Sequence, residues 1–318
     1  MPAGGWPLQW AMAAPLLLFA AASPAEQSVV MPDLAQRLES HVRTLTSIQP
    51  PRNFAHPAGL EKAATYIESE LQAVGWPVAS QPYAVNGNRY RNLRALRGPA
   101  GAERVVVGAH YDVHGDLPGA DDNASAVAIM LEVARELGDF EPALGLELVA
   151  FTLEEHPAFS MGVMGSGVHA ASLREQGVEL RLMLALEMLG YYVDTPGSQR
   201  FPLPGLSWWY PDRGNFVALI GRFAEFFSLR KVAGAMRKTG GVPVHYLASP
   251  VAFDGISRSD HRNYWEAGYP AIMVTDSAFY RNPHYHQPTD TADTLDYRRM
   301  AQLVPQIAAA VRALCRPE

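Results

Sequence analysis

The stretch Val105–Ala126, VVVGAHYDVHGDLPGADDNASA, constrains this chain more than any other. Val105, Val106 and Val107 form a short β-branched run closed by turn residues, the pattern of a strand buried on both faces. The run empties into a loop dense in His, Asp, Gly and Asn, and chemistry collects where such loops leave a sheet. His110 and Asp112 stand two apart, so on extended chain their side chains face the same way. Asp112 can then accept one ring N–H of His110 and leave the other nitrogen free for a metal. Gly115, Pro118 and Gly119 turn the chain before Asp122, which lies just ahead of a helical pattern beginning near Ser125, where a carboxylate is electrostatically favoured. Taken singly these residues have ordinary readings: His114 as a solvated loop histidine, Asp121 or Asn123 as a helix cap.

Other strands end in the same manner. Leu146–Thr152 (LELVAFT) runs into Leu153, Glu154, Glu155 and His156; neighbours on extended chain face opposite ways, so Glu154 and Glu155 are expected to take different roles. Leu182–Leu186 ends at Glu187, and Ala271–Thr275, which follows Ser259-Asp260-His261, precedes a loop with His284, Tyr285 and His286. Asn215–Ile220 reads as a further strand, and helical spacing marks Asp33–Leu45, Leu60–Val74, Ser125–Leu137, Gly221–Thr239 and Tyr297–Leu314. Pro77–Val85 and Arg89–Leu96 flank the turn signal Asn86-Gly87-Asn88 as a hairpin, which makes the sheet mixed. Val193–Arg213, rich in Pro, Gly and aromatics, reads as a long loop that forms a pocket wall or covers the sheet. The expected fold is α/β: one globular domain over residues 26–318, with a central mixed, mostly parallel sheet flanked by helices.

Composition narrows the function. With 48% hydrophobic residues, 18% charged and a net charge of −6, the chain has the make-up of a globular protein with a sizeable core. No Lys/Arg cluster of the kind that tracks phosphates is present, which argues against nucleic acid as a partner. The single cysteine, Cys315, can make no internal disulfide. Residues 1–25 carry no charged side chain, contain the apolar run Ala13–Ala22 and offer small residues at Ala20/Ala22 or Ser23/Ala25 for signal peptidase. The run is shorter than the roughly 20 residues a bilayer span needs. The expectation is a cleaved signal peptide, export to the periplasm or medium, and no stable membrane span once it is removed.

The chemistry-bearing strand ends together supply His110, Asp122, Glu154, Glu155, Glu187 and a histidine pair. Carboxylates gathered in this way repel one another unless cations neutralise them. His and carboxylate ligands without cysteine suit zinc, with manganese or cobalt as alternatives, and a bridging carboxylate would hold two ions about 3.5–4 Å apart. Three ligand carboxylates and one hydroxide would balance two divalent ions.

The motifs AHYD (109–112), GADDNASA (119–126), the Glu pair of FTLEEH, LEMLGYY (186–192), SDH (259–261) and HYHQPTDT (284–291) come in the order of a known group. Over about residues 60–315 the chain resembles the co-catalytic two-zinc aminopeptidases, whose relatives include glutamate carboxypeptidases and glutaminyl cyclases. The resemblance implies two Zn²⁺ ions, one bound by His110 and Glu187, the other by Glu155 and His286, with Asp122 as the bridge. It makes Glu154 the general base, taking a proton from the metal-bridging water that attacks the peptide carbonyl and delivering it to the leaving amine. Tyr285 would donate to the oxyanion, and peptides with a free N-terminus would be the substrates. His284 and His261 are left structural or supporting roles; His156, His169 and His245 are read as surface or core histidines. Two departures stand out: Glu187 occupies a position that is Asp in most members, and Leu153 one that is commonly Gly. The alternatives are a single-zinc acyltransferase of the glutaminyl cyclase kind and a non-catalytic binding ectodomain.

Overall fold

A computed structural model describes residues 24–202, 205–249 and 256–316; the signal-peptide reading of residues 1–25 falls almost entirely outside them. Eight strands make one sheet: β1 (Val78–Val85), β2 (Asn88–Arg97), β3 (Arg104–His110), β4 (Gly145–Phe151), β5 (Leu180–Glu187), β6 (Val217–Arg222), β7 (Val244–Ser249) and β8 (Ala271–Thr275). Their order across the sheet is β1-β2-β4-β3-β5-β8-β6-β7. The central strands β4, β3, β5 and β8 run parallel, whereas β1, β2 and the β6–β8 pair contribute antiparallel ladders. The mixed, mostly parallel α/β sheet expected from the sequence is the one observed.

The helices are α1 (Pro24–Thr46), α2 (Pro57–Ala73), α3 (Ala126–Glu136), α4 (Ala158–Met161), α5 (Gly165–Glu175), α6 (Phe226–Thr239), α7 (His261–Glu266) and α8 (Tyr297–Leu314). The valine run shows why the sheet needs helices on both sides. Val105 and Val107 join one core with α1, α2, α3, α6 and α8, while Val106 joins a second core with Ala170 and Leu173 of α5 and Tyr264 and Trp265 of α7. All three valines are fully buried, each worth roughly 1.5–3 kcal/mol relative to exposure. Among the described residues, no helix is long and apolar enough to cross a membrane.

Asn86 and Gly87 form the two-residue hairpin turn, both at positive φ (51° and 81°), and Val85 pairs with Asn88. Besides the single-turn α4, three elements have no counterpart in the sequence expectation. β7 (VHYLAS) is a half-exposed edge strand without period-2 alternation, α5 opens on two glycines, and α7 is under two turns long with a largely polar sequence. Each is held by tertiary packing rather than by its own periodicity.

Because β3, β4, β5 and β8 are parallel, their carboxyl ends share one edge of the sheet. His110, Phe151, Glu187 and Thr275 are the last residues of those strands. Open α/β sheets place ligands at this edge.

Candidate active site

The loop after β3 is held from three directions. The buried guanidinium of Arg52 donates to the carbonyls of Leu45, Pro118 and Gly119 at 3.0, 2.9 and 2.6 Å. Gly119 sits at φ 60°, and a Cβ there would collide with the Asp122 carbonyl, so only glycine fits. The Asp290 carboxylate accepts the amides of Asp121 and Asp122 at 2.9 and 3.2 Å. Asn123 donates to the Leu186 carbonyl and accepts the Met188 amide, stitching this loop to the end of β5. Asp121 accepts from the Gly190 amide and from Asn282. The ordinary reading of Asp121 or Asn123 as a helix cap does not hold: α3 has no side-chain cap, and both residues are engaged by a neighbouring strand end and loop.

Asp112 does more than face His110. One carboxylate oxygen lies 3.4 Å from His110 Nδ1, outside hydrogen-bond alignment, and the two oxygens accept the amides of Glu154 and Glu155, both at 3.0 Å. The turn after β4 is thereby tied to the end of β3. The two glutamates do part company: Glu154 Oε2 stands 4.0 Å from His110 Nε2, and Glu155 Oε1 stands 3.0 Å from His286 Nε2.

Two sets of ligating atoms result. His110 Nε2 lies 3.3 Å from Asp122 Oδ1 and 3.5 Å from Glu187 Oε2. His286 Nε2 lies 3.1 Å from Asp122 Oδ2 and 3.0 Å from Glu155 Oε1. Asp122 thus offers one oxygen to each set. The structure also brings in two residues not among the expected site residues: Ser259 Oγ donates to Glu187 Oε2 at 2.7 Å, and His114 Nδ1 lies 3.3 Å from Glu155 Oε2. His114 is the partly solvent-exposed loop histidine of its ordinary reading, yet its ring also lies parallel to His286 at 3.9 Å. Ser259 belongs to the SDH motif already noted; nothing in the sequence signals that the loop folds His114 back onto His286.

Electrostatics and unpaired atoms both call for a cation. Burial raises the cost of charging Asp122, yet the imidazoles of His110 and His286 outweigh it and hold the carboxyl well below its usual range. Burial, reinforced by the carboxylates of Glu155, Glu187 and Asp260, pushes Glu154 up against the pull of His110. Asp260, buried in the same region, is pushed up to about 7. His110 Nδ1 and Nε2 and Asp122 Oδ1 are buried with no hydrogen-bond partner. Each such atom costs about 1–3 kcal/mol. His110 Nε2 and Asp122 Oδ1 face a common point from 3.3 Å apart, which a divalent cation would satisfy.

A largely apolar cavity adjoins the site. Phe201, Leu206, Phe216, Ile220, Met273 and Phe279 line it, and Glu187 and Tyr285 form the wall it shares with the ligating atoms. Leu206 belongs to the long loop read from the sequence as a pocket wall or a cover of the sheet, and it lines the cavity. Tyr285 packs on His286, and burial pushes its phenol up, so it stays a hydrogen-bond donor. The other histidines considered in the sequence are not among the ligating atoms, although His245 lines the apolar cavity. His284 meets Thr289, His156 meets Ser160, His169 lies buried beside Glu147, His245 packs on Phe216, and His261 contacts the Ile256 carbonyl.

Comparison with known proteins gives a family. The sequence profile of Peptidase family M28 matches residues 93–311. An uncharacterized Escherichia coli K12 protein, YfbL, is 45% identical over 277 residues, covering 85% of each chain. The fold is similar to that of BSAP, a zinc aminopeptidase from Bacillus subtilis, with a TM-score of 0.69 at 16% identity over 88% of this chain and 95% of that one. It is also similar to a glutaminyl cyclase from Bacteroides thetaiotaomicron, with a TM-score of 0.65 at 19% identity over 87% of this chain and 97% of that one. At such identities the likeness speaks for the fold, which serves both chemistries. The chain belongs to Peptidase family M28.

Proposed function

We propose that this protein is a two-zinc aminopeptidase that removes an apolar residue from the free N-terminus of a peptide. The observation that carries the reading is the division of Asp122, whose Oδ1 faces His110 and whose Oδ2 faces His286. A single-cation acyltransferase has no use for a carboxylate placed between two complete ligand sets, so the cyclase alternative is the weaker one. His110, Asp122 and Glu187 would hold one Zn²⁺, and Asp122, Glu155 and His286 the other. When bound, the ions supply Lewis-acid polarisation of the scissile carbonyl and make water acidic near neutral pH.

The chain's own residues do the rest. Glu154 accepts a proton from the attacking water and passes it to the leaving amine; its carboxylate lies beside both ligand sets, 4.0 Å from His110 Nε2. Tyr285, kept protonated by burial, donates to the oxyanion. The substrate's α-amine lies against the carboxylates of Glu154 and Glu187, and its side chain enters the apolar cavity beyond Glu187. A bulky apolar side chain is favoured there because it replaces water against Phe and Met without leaving a polar group unpaired.

The test is metal analysis of the purified protein together with a panel of free and N-acetylated peptides. The reading expects about two zinc per chain and release of Leu, Phe or Met from free N-termini. Acetylation should abolish turnover, because an acyl group finds neither room nor a partner at the carboxylates. Equal cleavage of acetylated and free peptides would sink it; conversion of N-terminal Gln without release of a residue would favour the cyclase, and neither activity the binding ectodomain.

A further inference from the structure

His286 has an aromatic ring on each face. The His114 ring lies 3.9 Å from it, centroid to centroid, at an interplanar angle of 8°, and the Tyr285 ring lies 3.8 Å away at 18°. Two rings so nearly parallel and so close have little lateral offset, because non-bonded carbons approach only to about 3.5 Å. On one face they would overlap each other. His114 and Tyr285 therefore take opposite faces, and the His286 imidazole is enclosed between them.

His114 has a second contact. Its Nδ1 lies 3.3 Å from Glu155 Oε2, while the other oxygen of that carboxylate, Oε1, lies 3.0 Å from His286 Nε2. One side chain thus touches two of the three residues in the Asp122–Glu155–His286 set. The set needs such help: His286 sits at φ 54°, in the left-handed region, on a loop outside regular structure, and its side chain is not enclosed by the core. His110, its counterpart in the other set, ends a strand and is wholly buried.

His114, Glu155 and His286 lie close enough to be taken for three ligands of one ion. The ring geometry says otherwise. An imidazole binds a cation through a lone pair in its own ring plane, and two nearly parallel planes a ring's thickness apart share no point near both nitrogens. An ion in the plane of His286 would be about a ring's thickness out of the plane of His114, where that ring offers no lone pair.

We propose that His114 is a positioning residue for the second cation site: its ring fixes the orientation of His286, and its Nδ1–H fixes the Glu155 carboxylate. The proposal rests on the two-cation reading. The test is titration of the metal-free protein with Zn²⁺ and with Co²⁺, followed by calorimetry and by the visible absorption of bound cobalt, for wild type, His114→Ala, His114→Phe and His114→Asn. Wild type should bind two equivalents. His114→Ala should bind one equivalent about 10–100-fold more weakly and the other unchanged, the usual effect of losing a residue that orients a ligand. His114→Phe keeps the stack and His114→Asn keeps a donor, so each should recover part of the loss. In a His286→Ala background, where that site is already lost, His114→Ala should change nothing further.

Two equivalents bound by His114→Ala with wild-type affinity and an unchanged cobalt spectrum would overturn the proposal, as would equal weakening of both. A selective loss that neither Phe nor Asn repairs, with the cobalt band altered as for a missing ligand, would make His114 a ligand instead. Binding of a single equivalent by wild type would remove the two-cation reading itself, and the proposal with it. Circular dichroism of each variant separates these outcomes from misfolding.

Discussion

Glu154 Oε2 stands 4.0 Å from His110 Nε2, while the adjacent Glu155 points to the other set of ligating atoms and meets His286 at 3.0 Å. The separation follows from one anchor: Asp112 accepts both backbone amides, so the two carboxylates leave the turn in different directions from a fixed point. Glu154 approaches His110 but not within bonding distance, which fits the proton-handling role proposed for it.

Glu154→Gln is therefore expected to retain both cations while kcat falls by about 10²–10⁴-fold, the contribution of a general base. Metal content and steady-state kinetics on a free-amine peptide check this. Loss of one zinc from this variant, with Glu155→Gln retaining both, would exchange the roles of the two residues.

Asp122→Ala should weaken both cation sites, because it removes an oxygen from each set. Glu187→Ala should weaken one only, and Glu187→Asp should be tolerated if the end of β5 can advance by a methylene. Ser259, which donates to Glu187 at 2.7 Å, bears on the same site; Ser259→Ala should cost that site roughly 10-fold in affinity. Zinc titration of the four variants checks the pattern. Selective loss of one ion in Asp122→Ala would show that the carboxylate does not bridge.

The parts of this site legible in the sequence were those that regular structure delivers. A β-branched run ending in His110, and apolar runs ending near Glu154, Glu155 and Glu187, reveal a strand edge because burial on both faces leaves a continuous apolar signature. The two-residue turn at Asn86-Gly87 was legible because positive φ selects those residues. His114 was not, since the path of an irregular loop depends on long-range anchors such as Arg52 and Asp290 rather than on local spacing. β7 and α5 escaped because an edge strand and a glycine-led helix lack the periodicity that marks buried faces. The apolar cavity is assembled from β6, β7, β8 and the loops around them, a juxtaposition no single stretch contains.

Leu153 explains a departure from the family pattern and sets a stability test. Its φ is 60°, where glycine is the usual residue, yet its side chain is fully buried in the main core. Leu153→Gly relieves backbone strain of about 1–3 kcal/mol but empties a leucine-sized space, and truncations of that kind cost about 2–5 kcal/mol. The core term should win, leaving the variant about 1–3 kcal/mol less stable than wild type. Leu153→Ala empties nearly the same space and keeps the strain, so it should be less stable than the glycine variant by about 1 kcal/mol. Urea denaturation of the metal-free proteins reads both differences. Alanine above glycine in stability would show that the backbone at this position carries no strain.

The last prediction concerns acid stability. Glu132 on α3 is almost completely buried, with Arg37 Nη2 at 2.8 Å and His41 Nε2 at 3.2 Å from its carboxylate, both on α1. Burial opposes its ionisation, but the hydrogen bonds from His41 and Arg37 outweigh it and hold the carboxyl at about 2. A folded pKa below the unfolded value of about 4.3 means that ionised Glu132 contributes stability that is fully present above pH 4–5. The contribution disappears as pH falls from there through about 2, when the carboxylate takes up its proton and the tie between α1 and α3 is lost. Arg37 is partly exposed, so solvent screening reduces its share, and the total should be on the order of 2 kcal/mol. Glu132→Gln should then be less stable than wild type by that amount at pH 6, and the gap should close toward pH 2–3. Urea midpoints of the metal-free proteins at several pH values measure it; a gap that stays constant from pH 6 to pH 3 would show that the ion pair is not what joins the two helices.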